Sequence, residues 1–424
     1  MRLQLAYGKT GLPVDLPDDW DVTVVEPRFV PGLVEPIQAV KQSLLKPINA
    51  PALRDFVKPG SRVGIIFSDI TRPTPHQLIL PPILEELEHI PKENIILFNA
   101  CGTHRPNTDV ELRDMLGNEL VNTYRIIQNN AFDEQTQVCL GKTSRGHDLW
   151  LNKEVAACDV RILTGFIEPH FFAGFSGGGK ALMPGMGGLH TILGNHDAGN
   201  IGDPQATWGV TRGNPIWEEV REVAYKVGNN FLVNVTLNKH KQITGVFAGD
   251  LDAAHAQGCS FVKETAMVPV EQPFEIVLTT NSGYPLDLNL YQSVKGMSAA
   301  AQVVRPGGTI VIATDCWDGI PDHGLYGQLL SQAGDPQELL KTICTPGYLK
   351  ADQWQAQIQA QIQLKADVYV YTQNLTDEQI ESALLKPCHS IEDLTSRLLG
   401  KYGPTARICV LPEGPQTVPY LKAN

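Results

Sequence analysis

Residues 62–105 read RVGIIFSDITRPTPHQLILPPILEELEHIPKENIILFNACGTHR. The apolar runs Arg62–Ser68 and Asn94–Ala100 are too short for helices and lack the alternation of a half-exposed strand, so each reads as a strand covered on both faces. Between them His76–Glu88 reads as a helix with an irregularity at Pro81-Pro82. Thr108 and Glu111 form a capping box that opens a helix over Asp109–Leu116, and Val160–Leu163 supplies a third apolar strand. Strands alternating with helices specify an α/β fold with a largely parallel sheet.

The residues after each strand carry the chemistry. Asp69-Ile70-Thr71-Arg72 follows the first, Cys101-Gly102-Thr103-His104-Arg105 the second, and Glu168-Pro169-His170 the third. In an open parallel sheet the carboxyl ends of the strands line one crevice, where ligands bind. Asp69, Arg72, His104, His170 and Lys180 are therefore expected to converge.

The third strand runs into GFIEPHFFAGFSGGGKALMPGMGGLHTILGNH, residues 165–196, with nine glycines and three histidines. Glycine loses the most conformational freedom on folding and has no side chain to bury, so core packing does not explain this stretch. Gly174 and Gly179-Lys180 fit the start of a phosphate-binding G-x-x-x-x-G-K-[ST] loop. Ala181 then stands where a Mg²⁺-ligating hydroxyl is required, and Pro184 interrupts the helix that would hold the phosphates, which disfavours a nucleotide-hydrolysing ATPase. A lysine among glycines is expected to be exposed, suited to covalent attachment or anion contact.

The run from His170 to Lys180, with Pro184-Gly185 and Asn195-His196, resembles the signature of the lactate racemase family. The resemblance is specific at 69–72, 104, 170–196 and 291–295, and spans most of the chain. It implies a racemase of 2-hydroxy acids that works by transient hydride transfer to a nickel-pincer nucleotide, a pyridinium mononucleotide whose thiocarbonyl arms and ring carbon hold nickel. By the same resemblance Lys180 carries the nucleotide covalently and His196 ligates nickel. Asp69, Ile70, Thr71 and Arg72 hold the nucleotide, and His104 and His170 are the acid/base pair. Arg72, Tyr291, Gln292 and Lys295 bind substrate. Enzymes of cofactor synthesis are implied as partners. The substrate is expected to be lactate or a related short-chain 2-hydroxy acid, with larger acids such as malate, aromatic or sugar acids as the alternative. Gly179 departs from the pattern, standing where relatives commonly carry arginine.

Acidic residues outnumber basic ones, 46 against 34 in 424 residues, which argues against a nucleic-acid partner. No amino-terminal apolar region or long apolar run marks a membrane segment, and eight cysteines without C-x-x-C spacing fit reduced thiols in a cytoplasmic protein. Asn230–Leu237 and Gln242–Phe247 read as a hairpin, and Met267–Pro273, with two prolines, as a linker. A second α/β unit follows: strand Glu275–Thr279, helix Leu290–Val304, and strands Thr309–Thr314, Asp367–Tyr371 and Ala406–Leu411. Tyr291, Gln292 and Lys295 can share one face of its helix. Two domains are therefore expected, at 1–268 and 274–424, with a cofactor and substrate cleft between them and the last strand able to return to the first.

Overall fold

A computed structural model describes residues 1–322 and 324–422. The chain divides into two compact units. One comprises residues 29–196 and 203–263, and the other residues 1–28, 197–202 and 264–424.

In the first unit a six-stranded sheet has the order Ile243–Gly249, Asn230–Leu237, Val160–Phe166, Val63–Ser68, Ile95–Ala100, Arg125–Gln128. All neighbours are parallel except the Ile243–Gly249 edge, which closes a hairpin. The central strand is buried along nearly all its length, since helices cover both faces of a parallel sheet. Ile65, Phe67, Ile79, Ile83, Leu97 and Phe231 belong to its core. The chain adds strands outward from Val63–Ser68 on one side and then returns to place Val160–Phe166 on the other. The switch point therefore lies between these two strands, whose carboxyl ends open a crevice. The expected capping box forms, with the Thr108 hydroxyl accepting from Glu111 N–H at 3.2 Å.

The second unit holds a six-stranded, fully parallel sheet: Lys386–Pro387, Ala366–Tyr371, Val304–Ala313, Phe274–Thr280, Arg407–Leu411, Asp21–Val24. Ile276, Leu278, Val311, Ile408 and Val410 form its centre, with Leu5, Val14 and Leu16 from the amino-terminal hairpin. Residues 1–28 were expected with the first domain; they sit in this unit because Asp21–Val24 pairs with Arg407–Leu411. The expected linker is also structured. Helix Leu251–Ala266 leads directly into strand Met267–Val270, which pairs in parallel with the last strand, Val418–Leu421. Pro269 is tolerated there because both members of a two-stranded ribbon are edges. Of the eight cysteines, Cys139 and Cys344 are exposed and the rest are buried free thiols. Among the described residues no helix is long and apolar enough to cross a membrane.

Candidate functional site

The crevice of the first unit starts at Asp69, buried directly after the central strand. Its carboxylate meets His104 Nδ1 at 2.7 Å and accepts from the Thr71 hydroxyl at 2.7 Å. Burial pushes the Asp69 pKa up, but His104, the Arg72 charge and Thr71 outweigh it and hold the group below its ordinary value. An ionised carboxylate only accepts, so the proton of this bond belongs to His104 Nδ1, and Nε2 is left for chemistry. Arg72 stays beside the pair, donating to the Thr71 carbonyl at 3.2 Å and hydroxyl at 3.1 Å. Ile70 points its bulk toward solvent, 39% exposed.

Two fastenings fix the His104 loop. Asn99 donates to Asn107 Oδ1 at 2.8 Å and Gln128 Oε1 at 2.9 Å. On the other side Gly102 N–H donates to the Gly185 carbonyl at 2.9 Å, which ties the loop to the glycine-rich stretch.

Within that stretch Pro169–His170 pairs with Gly174–Phe175, placing His170 opposite Gly174. Gly174 has φ +77°, and a Cβ there would lie 1.9 Å from the Val210 carbonyl oxygen, so the hairpin requires glycine. His170 is buried, and its Nδ1 accepts from Ala173 N–H at 3.3 Å. Gly178–Ala181 forms a single 3₁₀ turn, with Gly178 N–H donating to Asn234 Oδ1 at 2.8 Å. No helix begins at Lys180, so the phosphate-loop resemblance does not extend to the fold.

Phe172 gathers three of the expected residues. Its ring centroid lies 4.5 Å from that of His170 and 5.0 Å from that of His196, and Lys180 Nζ sits 5.6 Å from it. His196 is buried at the carboxyl end of helix Leu189–Asn195, whereas His190 is exposed on the same helix and faces Glu134 at 3.0 Å. Lys180 was expected to be exposed but is half-buried. Burial, with the Arg72 charge adding to it and Glu168 opposing, pushes its pKa down to about 7. Asp69, Arg72, His104, His170, Lys180 and His196 thus all belong to this unit.

Tyr291, Gln292 and Lys295 belong to the other unit, on helix Leu290–Ala301, which Asn289 caps by accepting from Gln292 N–H at 3.1 Å. Gln292 is buried, while Tyr291 and Lys295 are half-buried. The Tyr291 hydroxyl accepts from Trp354 Nε1 at 3.0 Å.

Residues 7–209 match the lactate racemase N-terminal domain and residues 270–418 the lactate racemase C-terminal domain. This chain belongs to the lactate racemase family. It is accordingly an isomerase. It is 34% identical to a lactate racemase of Thermoanaerobacterium thermosaccharolyticum over 97% of this chain and 98% of that protein. A lactate racemase of Lactiplantibacillus plantarum is 36% identical over 89% of each chain. The solved lactate racemase apoprotein from T. thermosaccharolyticum superposes with a TM-score of 0.90 at 32% identity, covering 100% of both chains. A Thermotoga maritima protein with 17% identity and a TM-score of 0.69, covering 92% of this chain and 99% of its own, shares the fold.

Proposed function

We propose that this lactate racemase family member interconverts the enantiomers of lactate or a related short-chain 2-hydroxy acid, using a nickel-pincer nucleotide tethered to Lys180. The observation that carries the reading is the grouping of His170, His196 and Lys180 around Phe172, in the same unit as the Asp69–His104 pair.

The residues fit such a cofactor. The Lys180 amine, with its pKa brought to about 7, is substantially neutral and hence nucleophilic at physiological pH, as a covalent tether requires. Arg72 offers a forked cation for the nucleotide phosphate or the substrate carboxylate. His196 supplies an imidazole, a donor well suited to Ni²⁺. When bound, the pyridinium nucleotide supplies a reversible hydride acceptor, which avoids the α-carbanion that ordinary side-chain bases would not generate.

The two histidines exchange the roles of acid and base with the direction of the reaction. His104 donates through Nδ1 to Asp69, so its neutral ring presents a lone pair at Nε2 and takes the substrate hydroxyl proton. His170 is its counterpart: as the imidazolium it gives a proton to the oxygen of the re-reduced product and is left neutral, and in the reverse direction it takes that proton back. Two histidines serve one reaction because the hydroxyl lies on opposite sides in the two enantiomers. Asp69 acts here by orienting His104. Lys295, Gln292 and Tyr291 supply a cation, an amide and a hydroxyl for the substrate carboxylate.

The test is protein produced together with the cofactor-synthesis enzymes and offered single enantiomers of lactate, malate, aromatic and sugar 2-hydroxy acids, followed by chiral analysis. Fastest interconversion of lactate or a near homologue supports the proposal. A preference for a larger acid would support the alternative substrate class on the same cofactor.

A further inference from the structure

The residue preceding His196 is held by a buried carboxylate that carried no signal in the sequence. Asn195 Nδ2 donates to Glu219 Oε2 at 2.9 Å and to the Ile216 carbonyl at 3.2 Å. The other carboxylate oxygen, Oε1, meets His147 Nδ1 at 2.7 Å and accepts from the Thr143 hydroxyl at 2.5 Å. Glu219 is 2% exposed, and these three side chains outweigh its burial and hold its pKa below the ordinary carboxylate value. One carboxylate thus joins three segments: the turn at 143–147, helix Pro215–Val227, and the end of helix Leu189–Asn195. Gly194 leaves room for the arrangement, since a Cβ there would lie 2.7 Å from the His147 ring.

A purely structural role for Glu219 would be to dock the 143–147 turn onto its helix. That turn already has a second fastening, because Ser144 donates its N–H to Glu222 at 2.8 Å and its hydroxyl at 2.6 Å. What Glu219 adds is a charged acceptor for Asn195, beside the bond Asn195 gives to the Ile216 carbonyl. A burial cost is incurred by placing a carboxylate here, and one of the three donors that offset it, Asn195, is the residue that precedes His196.

We infer that Glu219, backed by His147 and Thr143, is a positioning residue for the metal centre: it fixes Asn195 and thereby the terminal helical turn from which His196 presents its imidazole. The inference rests on the assignment of His196 as the nickel ligand. Residues that orient a ligand from behind typically change metal affinity roughly 10–100-fold when removed.

Cofactor-loaded protein is dialysed against EDTA and its nickel followed over time by mass spectrometry, with visible absorption of the loaded protein and the thermal midpoint of the cofactor-free protein recorded alongside. Glu219→Gln and Asn195→Ala should release nickel roughly 10–100-fold faster than wild type and shift the absorption band. Ser144→Ala, which removes the hydroxyl bond to Glu222 and leaves the Glu219 contacts in place, should release nickel at the wild-type rate. If Glu219→Gln does not fold, Asn195→Ala decides, since it leaves the Glu219–His147 pair in place. Equal acceleration by Ser144→Ala would mean general loosening and would overturn the positioning role. His196→Ala separates the two assignments. If it keeps nickel like wild type, the ligand assignment fails and the inference falls with it. If it loses nickel while Glu219→Gln and Asn195→Ala behave as wild type, the inference alone is overturned.

Discussion

Acylation of the Lys180 amine in cofactor-free protein should follow a titration with its midpoint near pH 7. Burial is the largest cause of this displacement, the Arg72 charge adds to it, and Glu168 works against it, with the net pKa brought from 10.5 to about 7. At pH 7.5 such an amine is about three-quarters neutral, whereas an ordinary lysine is roughly 0.1% neutral, so the reactive fraction is several hundred-fold larger. Brief pulses of acetic anhydride at a series of pH values, with Lys180 labelling read by peptide mass spectrometry against exposed lysines, measure the midpoint. Arg72→Gln should raise it without restoring the ordinary value, because burial remains. Glu168→Gln should lower it. The same displacement carries a stability consequence with a fixed sign. Between about pH 7 and 10.5 the unfolded chain binds a proton that folded Lys180 does not, so this residue's destabilising contribution is full below that window and fades as pH rises through it. Lys180→Met should therefore unfold at a higher temperature than wild type near neutrality, with the advantage shrinking in alkali. A labelling midpoint within a unit of ordinary lysine, or none of these shifts on changing Arg72, would refute the reasoning.

Asp69→Asn should leave the fold intact but lower racemisation by on the order of 10²–10⁴, since the group that fixes the tautomer of His104 is gone; steady-state kinetics with either enantiomer reads this. In single-turnover experiments His104→Ala and His170→Ala should each still oxidise one enantiomer to the 2-oxo acid, opposite ones, while neither completes the interconversion beyond a trace; near-wild-type turnover in both directions by either variant would exclude the two-histidine scheme. Gly174→Ala should lose about 3 kcal/mol or more in urea denaturation, because its Cβ would collide with a backbone oxygen at 1.9 Å in a left-handed conformation.

The parallel sheets were legible because strands covered on both faces are continuous apolar runs, as Val63–Ser68 and Phe274–Thr280 are. The short, half-exposed edge strand Arg125–Gln128 and the hairpin Gln137–Lys142 with Asp148–Asn152 gave no such run and went unread. Placement of residues 1–28 was hidden for a different reason: Asp21–Val24 is paired by a strand from the opposite end of the chain, and no local pattern encodes that. At the site, strand order exposed Asp69, His104 and His170, and the glycine run exposed Lys180. Partnerships were not legible. That Asp69 would be taken up by His104, that Phe172 would gather His170, His196 and Lys180, and that Glu219 would back Asn195 are facts of side-chain packing between distant segments. Glycine neighbours suggest open space around Lys180, yet it is half-buried because helix Pro215–Val227 packs so close that a Cβ at Gly179 would sit 3.2 Å from Val220.

Racemisation of a single lactate enantiomer in deuterium oxide by the cofactor-loaded protein tests the central claim most directly. The account predicts equal amounts of both enantiomers with the α-hydrogen of the starting material still on carbon, and loss of the reaction in Lys180→Ala. Deuterium at the α-carbon of the product, or undiminished racemisation by Lys180→Ala, would contradict it.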